Sequence, residues 1–351
     1  MVGLSEGWPA IFSKLASRID LSGEEAFSVL VEILSGNAQE SQIGAFLLGL
    51  RQKGETADEI TGLTRAMLSF AESITLDGDC IDTCGTGGDR SGTINVSTMS
   101  AFVVAGTGLR VVKHGNRAAS SSSGSADVLE ALGVVTTLDP NDVKRCIESV
   151  GMGFCFAPRF HPAMKYAGPV RSALGIPTVF NFLGPLANPA RVPYQVVGVS
   201  DHKMAPKMAM VLRNNGIKRA LVVYGHDGLD ELSTTSSSTV IEVSADEVKS
   251  KVYDISPGDY GIELSTIEAL RGGDAQVNAA HTRQVLAGVV GPHFDIVILN
   301  AGAALYAAGR ASSIAQGIEM ARESIQSGKA AKVLEDLCTL SQQLASGQPS
   351  E

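Results

Sequence analysis

Asn95-Val96-Ser97-Thr98-Met99-Ser100-Ala101-Phe102-Val103-Val104-Ala105, then Leu109-Arg110-Val111-Val112, then Lys113-His114-Gly115-Asn116-Arg117: a polar opening leads into an apolar run, an aliphatic strand-like run follows, and a cationic turn closes the unit. The opening predicts a helix start, whose unpaired N–H groups and dipole favour an anion. The second run predicts a strand. Helix, strand and polar turn in that order are the repeating unit of an α/β fold.

The segment just upstream, Gly85-Thr86-Gly87-Gly88-Asp89, fits the same picture. Glycines let successive backbone N–H groups converge on an anion, because no Cβ blocks the approach and φ > 0 carries no penalty. With Lys113 and the hydroxyls that Ser120 and Ser121 bring to Ala118-Ala119-Ser120-Ser121, the two polar stretches predict a cradle for a ligand with phosphates at both ends. Gly-Thr-Gly-Gly also fits an ordinary turn. The loop lacks the Gly-Lys-Ser/Thr ending of a nucleotide-hydrolase loop and the glycine spacing of a dinucleotide fingerprint.

Outward from this unit, strand-like runs at Gly153 to Phe156, Gln195 to Val199, Ala220 to Tyr224 and Asp295 to Leu299 alternate with helical patterns at about Ser125 to Leu132, Asn141 to Val150 and Met204 to Asn215. Such alternation predicts a mostly parallel sheet covered by helices. The first 75 or so residues are helical by pattern. Ser22-x-x-Glu25 and Thr56-x-x-Glu59 are capping boxes, Gly36 and Gly54 are stops, and Ile43, Phe46, Leu47 and Leu50 share a helix face. The proline-rich stretch His161 to Pro189 breaks the alternation and is expected to return to the helical unit. The expected division is a discontinuous small α-helical domain, 1–76 with 163–188, and a large α/β domain, 77–162 with 189–351.

The chain has 351 residues, 44% of them hydrophobic but only 5% aromatic, so its core is aliphatic. A net charge of -9 disfavours nucleic-acid or anionic-membrane binding while leaving room for a local basic pocket. Cys80, Cys84, Cys146, Cys155 and Cys338 form no Cys-x-x-Cys pair and read as reduced thiols. With no leader pattern and no long apolar run, a cytoplasmic location is expected.

Asp230-Glu231 lies in a loop just after the strand ending near Tyr224. An isolated acid pair reads as a solvated turn. Beside a phosphate cradle it fits Mg²⁺, which takes one or two carboxylates plus water and substrate phosphates.

At this point the chain resembles the anthranilate phosphoribosyltransferases over nearly its whole length. The residues that carry the resemblance are Gly85 to Asp89, Asn95 to Thr98, Lys113 to Ser121, His161-Pro162-Ala163-Met164-Lys165-Tyr166 through Arg171, Pro177 to Asn181, Leu183-Gly184-Pro185-Leu186 with Asn188-Pro189, and Asp230-Glu231. The resemblance implies a nucleoside phosphorylase/phosphoribosyltransferase-like fold, α/β plus a small all-α domain, and a homodimer formed through that domain. It implies 5-phosphoribosyl 1-diphosphate bound by Gly85, Gly88, Asp89, Thr93, Asn95, Ser97, Thr98, Lys113, Ser121 and Ser125. Ser97, Asp230 and Glu231 would anchor Mg²⁺; Gly85, Asn116 and Arg171 would bind anthranilate, with His114 and Tyr166 lining its entry. Arg90 and the Ser122-Ser123 run depart from the family pattern.

The chemistry expected needs no protein general acid or base. The aromatic amine is a neutral nucleophile, so positioning and charge stabilisation around an oxocarbenium-like transition state carry the reaction. Two rivals share some of these features: a pyrimidine nucleoside phosphorylase, and a non-catalytic paralogue that binds nucleic acid. The blocks at Lys113 to Ser121 and His161 to Arg171 argue against the first, and the acidic charge against the second.

Overall fold

The computed structural model describes residues 7–89, 91–118, 122–247 and 249–347. Helices α1 (Gly7–Ala16), α2 (Gly23–Leu34), α3 (Glu40–Lys53) and α4 (Ala57–Ser69) come first. Both capping boxes form: Glu25 N–H donates to Ser22 Oγ and Glu59 N–H to Thr56 Oγ1, while each glutamate accepts the N–H of its cap residue. Glu59 is fully buried and also accepts the Leu21 N–H at 2.8 Å. Its cap thereby ties α4 to the chain entering α2.

The α/β part follows as β1 (Cys80–Gly85), α5 (Val96–Gly106), β2 (Arg110–Gly115), α6 (Ser125–Leu132), α7 (Pro140–Val150) and β3 (Met152–Phe156). The chain then leaves the sheet through α8 (Ala157–Phe160), a 3-10 turn at Pro162–Tyr166, α9 (Gly168–Leu174) and α10 (Phe180–Leu186). It returns as β4 (Tyr194–Gly198), α11 (Ala205–Asn214), β5 (Arg219–Gly225), β6 (Ser238–Ser244) and β7 (Lys251–Ile255). Helices α12 (Ala275–Leu286), α13 (Pro292–Ala307), α14 (Ile314–Gln326) and α15 (Lys329–Ala345) complete it. Among the described residues no helix is long and apolar enough to cross a membrane.

The strand order is β3-β2-β1-β4-β5-β6-β7, parallel from β3 to β5 and antiparallel over β6 and β7. Alternate residues face opposite layers. Val197, Ala220 and Val222 join one core with α1–α4, α9, α10 and α11, while Val196, Leu221 and Val223 join the other with α5–α7 and α12–α15. The chain steps from β1 outward to β3 and then back to β4, on the other side of β1. The crevice beyond the carboxyl ends of β1 and β4 is therefore the topological switch point, where open α/β sheets bind ligands.

The links between the helical unit and the sheet run side by side. Glu72 N–H donates to Phe160 O and Ile74 N–H to Pro189 O.

Two sequence expectations change. Asp295 to Leu299 is not a strand but the first half of α13, most of whose side chains are buried. A helix covered on most sides has no polar face, and a window of its apolar residues reads like a buried strand. The strand expected at Leu109 to Val112 runs on to Gly115, so Lys113 and His114 are strand residues aimed by the sheet rather than loop residues.

Candidate active site

A cavity of about 640 Å³ opens over the carboxyl ends of β1 and β2, walled on its other side by the helical segment from α8 to α10. Sheet residues, loop residues and helical-unit residues all contribute to its lining, which includes Gly85, Lys113, Asn116, Arg171, Asp230 and Glu231.

The glycine loop leaves β1 with Gly87 and Gly88 at φ of 65° and 82°, values that favour glycine. Thr86 N–H donates to Gly198 O, and Ser200 Oγ to Gly87 O, anchoring the turn to the end of β4. The Gly87 N–H donates to Asp230 Oδ2 at 2.7 Å, so the glycine loop and the acid loop after β5 are one structure. The approach is close. A Cβ on Gly85 would lie 2.3 Å from Asp230 Oδ2, and one on Gly198 would lie 1.5 Å from the Asp230 carbonyl oxygen. From the far side, Asn300 of α13 accepts the Leu232 N–H and donates to the Leu232 carbonyl, each at 2.9 Å, which holds the residue after Glu231 in place.

Lys113 is 1% exposed, and its ammonium donates to Thr83 O at 2.7 Å and Ser97 Oγ at 3.2 Å. Burial lowers its pKa, while Asp82 and Glu231 favour its charge. Burial also pushes the carboxyls of Asp230 and Glu231 above their ordinary range; Asp89 adds to this for Asp230, and Asp230 for Glu231. This cluster of acids fits a hard divalent cation. Its donors are all oxygen, its like charges are crowded, and a cation would relieve the repulsion that raises those pKa values. Among the described residues no three His, Cys, Asp or Glu are grouped to hold a metal by themselves, so phosphate and water oxygens would complete the shell.

On the helical side, Arg171 sits with its guanidinium 4.9 Å from the centre of the Phe180 ring. Burial lowers its pKa, and no salt bridge engages it among the described residues. His114 Nδ1 is 3.0 Å from Gly184 O and His161 Nε2 is 3.1 Å from Ala187 O. A carbonyl can only accept, so these nitrogens carry the protons and leave His114 Nε2 and His161 Nδ1 as acceptors. Among the described residues neither acceptor nitrogen has a partner. Burial drives the two pKa values down, to about 3 for His114 and about 4 for His161, so both rings are neutral at pH 7.

Of the residues expected from sequence, Gly85, Gly88, Asp89, Thr93, Asn95, Ser97, Lys113, His114, Asn116, Ser125, Arg171, Asp230 and Glu231 line this cavity. Thr98 does not: it is fully buried in α5, one residue past the helix position that faces the cavity. Tyr166 does not either; its ring packs on Gly36 of the helical unit. Ser121 and Arg90 lie outside the described residues. Sequence reasoning left out His161, Phe180 and Asn181, which also line the cavity. Their signal was present in the quoted His161 and Pro177 to Asn181 blocks, without a chemical role to single them out.

The chain matches a glycosyl transferase family by its α/β domain over residues 77–331 and by its helical bundle domain over residues 9–71. An anthranilate phosphoribosyltransferase of Herpetosiphon aurantiacus is 50% identical over 317 residues, covering 90% of this chain and 94% of that protein. One from Rhodococcus jostii is 49% identical over 347 residues, covering 97% and 95%. The crystal structure of the Thermus thermophilus anthranilate phosphoribosyltransferase superimposes with a TM-score of 0.89 at 41% identity, over 95% of this chain and 99% of that one. The Saccharomyces cerevisiae enzyme in complex with PRPP and Mg gives 0.89 at 28% identity, over 97% and 99%.

Proposed function

We propose that this chain, which belongs to the anthranilate phosphoribosyltransferase family, transfers the 5-phosphoribosyl group of 5-phosphoribosyl 1-diphosphate to the amine of anthranilate. The products are N-(5-phosphoribosyl)anthranilate and diphosphate, a step of tryptophan biosynthesis. The observation that carries the reading is the Gly87–Asp230 tie, which joins a phosphate loop to an acid pair in a cavity that Asn116, just past β2, and Arg171, from the helical side, also line.

The residue roles follow from chemistry and position. Gly85, Gly88, Asp89, Thr93, Asn95, Ser97, Lys113 and Ser125 hold the phosphoribosyl diphosphate, with backbone N–H groups and the Lys113 ammonium meeting its phosphates. Asp230, Glu231 and the Ser97 hydroxyl hold Mg²⁺ against the diphosphate. When bound, the metal neutralises charge on the departing diphosphate. Arg171 meets the anthranilate carboxylate with its planar fork, and the Asn116 side-chain carbonyl accepts from the amine. The neutral His114 and His161 rings add acceptor nitrogens to the cavity wall without adding charge. No protein group needs to abstract a proton before attack; the chain aligns the amine with the anomeric carbon and excludes water.

The reading includes a homodimer built through the helical unit, where Leu48 and Ile176 are exposed apolar residues, and a cytoplasmic location, with the five cysteines present as free thiols. It also divides the chain into a helical domain, 1–76 with 163–188, that closes on the α/β domain across the paired links at Glu72–Phe160 and Ile74–Pro189.

The test follows anthranilate fluorescence with purified protein, 5-phosphoribosyl 1-diphosphate and Mg²⁺. Loss of signal that requires all three supports the reading. A folded protein that leaves the signal unchanged overturns it, and phosphorolysis of thymidine or uridine is then the reaction to assay.

A further inference from the structure

The segment Leu270 to Gly273, just ahead of α12, is a strut that both phosphate loops rest on. Ile94 N–H donates to Leu270 O, Gly272 N–H to Gly92 O, and Thr93 pairs with Arg271 as an isolated antiparallel bridge. From the second loop, Ser122 Oγ donates to Gly273 O at 2.8 Å.

Asn278 of α12, 1% exposed, is the polar group buried behind this junction. Its Oδ1 accepts the Gly273 N–H at 2.8 Å, its Nδ2 donates to Asn95 Oδ1 at 2.9 Å, and Asn95 Nδ2 donates to Ser123 O at 3.1 Å. Both ends of this chain of bonds are backbone groups with one possible role. The Gly273 N–H can only donate, and the Ser123 carbonyl can only accept. The two amides between them therefore have one orientation that satisfies every link. Asn95 spends its oxygen on Asn278 and one amide hydrogen on Ser123. Its second amide hydrogen is the one left for the cavity it lines.

We propose that Asn278 is a positioning residue for the phosphoribosyl diphosphate site: it sets the direction of the Asn95 amide and, through it, locks the loop at 91–95 to the loop at 122–125. The assignment rests on the reading of Asn95 as a group that binds this substrate. Asn278 itself touches no substrate. A buried amide with fixed donors and acceptors transmits geometry because every alternative orientation leaves two like poles facing each other.

Asn278→Asp separates this role from simple packing. The carboxylate is nearly isosteric and still accepts from Gly273, so the tie between α12 and the strut survives. It cannot donate to Asn95, which must turn its amide around and present oxygen to the Ser123 carbonyl. Asn278→Ala removes both ties. The experiment measures the dissociation constant of 5-phosphoribosyl 1-diphosphate by calorimetry, the KM of each substrate, melting temperature, and hydrogen exchange of residues 91–95 and 122–125 in the ligand-free protein.

The expected result is a loss of phosphoribosyl diphosphate affinity of about tenfold or more in both variants, as for loss of a buried polar link, with the anthranilate KM within about twofold of wild type. Asn278→Asp keeps its melting temperature near wild type, and exchange rises in both loops. With Asn95→Ala already present, Asn278→Asp costs no further affinity. A folded Asn278→Asp protein with wild-type affinity and wild-type exchange overturns the proposal. A wild-type protein that binds no phosphoribosyl diphosphate while Asn278→Asp raises exchange in both loops overturns the substrate reading and leaves the coupling of the loops standing.

Discussion

The Asp230 carboxylate and the Gly87 N–H meet at 2.7 Å, although the two residues lie on loops from different strands. That bond fixes the spacing between the phosphate loop and the acid pair. Gly85 and Gly198 make it possible, because both leave open the space that Asp230 occupies.

Gly85→Ala tests this fit. Its Cβ would stand 2.3 Å from Asp230 Oδ2, so the carboxylate must turn away and lose its bond to Gly87. We expect a rate loss of about a hundredfold or more with a melting temperature only a few degrees lower, since the strand itself can accept an alanine. Steady-state assay beside thermal melting checks it; an unchanged rate would remove the Gly87–Asp230 contact from the account.

Asp230→Asn with Glu231→Gln should pull rate and stability in opposite directions. Burial and like charge raise both carboxyl pKa values in the fold. Neutral isosteres therefore suit the metal-free site better and should add on the order of 1 kcal/mol of stability at pH 8, after allowance for partial exposure. The rate should fall by several orders of magnitude. Melting without Mg²⁺ and turnover with it give both numbers; a double variant that is less stable and fully active would contradict the assignment.

Arg171→Ala should raise the anthranilate KM by about tenfold or more and leave that of phosphoribosyl diphosphate nearly unchanged. Arg171→Lys should rescue little, because an ammonium cannot reproduce the fork or its stacking on Phe180. Equal KM values in all three proteins would take Arg171 out of the acceptor site.

The pH behaviour of His161 has a definite sign. Its folded-state pKa is depressed from 6.5 to about 4, so between those values the unfolded chain binds a proton that the folded chain refuses. Its contribution is complete above pH 6.5 and is lost as pH falls toward 4, at a rate of about 1.4 kcal/mol per pH unit. Asp82, raised to about 6 by burial, acts in the opposite sense over much of the same window. The wild-type curve alone therefore does not isolate the imidazole. The stability of His161→Gln minus that of wild type does, and it should rise as pH falls from 6.5 to 4. A difference that stays flat over that range would show that His161 takes up its proton in the fold.

Much of this architecture is legible in the chain because its signals are local. The capping boxes at Ser22 and Thr56, the helix opening at Asn95 and the aliphatic runs that became β2 to β5 each declare themselves within a few residues. The seat of the cradle was readable for the same reason: the glycine loop declares itself by composition and the lysine follows a predicted strand, although β1, the strand that delivers the glycine loop, is not among the expected strands. What escaped depends on tertiary surroundings. Asp295 to Leu299 lies in a helix buried on most sides, so its pattern lacks the polar face that separates helix from strand. Strands β6 and β7 escaped as well; they pair antiparallel at the sheet edge, outside the β–α alternation that marks β2 to β5. Thr98 and Ser97 are adjacent in sequence yet point about 100° apart on α5, so that Ser97 lines the cavity while Thr98 is buried, which only the helix phase decides. Asn278 lies 183 residues beyond Asn95, and an asparagine inside a helix announces nothing about a partner that far away.

The most direct test of the central claim is product analysis by mass spectrometry, with diphosphate measured in the same reaction. The account predicts one N-(5-phosphoribosyl)anthranilate and one diphosphate for each anthranilate consumed, only when phosphoribosyl diphosphate and Mg²⁺ are both present. Diphosphate released with ribose 5-phosphate while anthranilate stays intact would show a site that binds and cleaves the donor but does not transfer it, and would contradict the acceptor role given to Arg171 and Asn116.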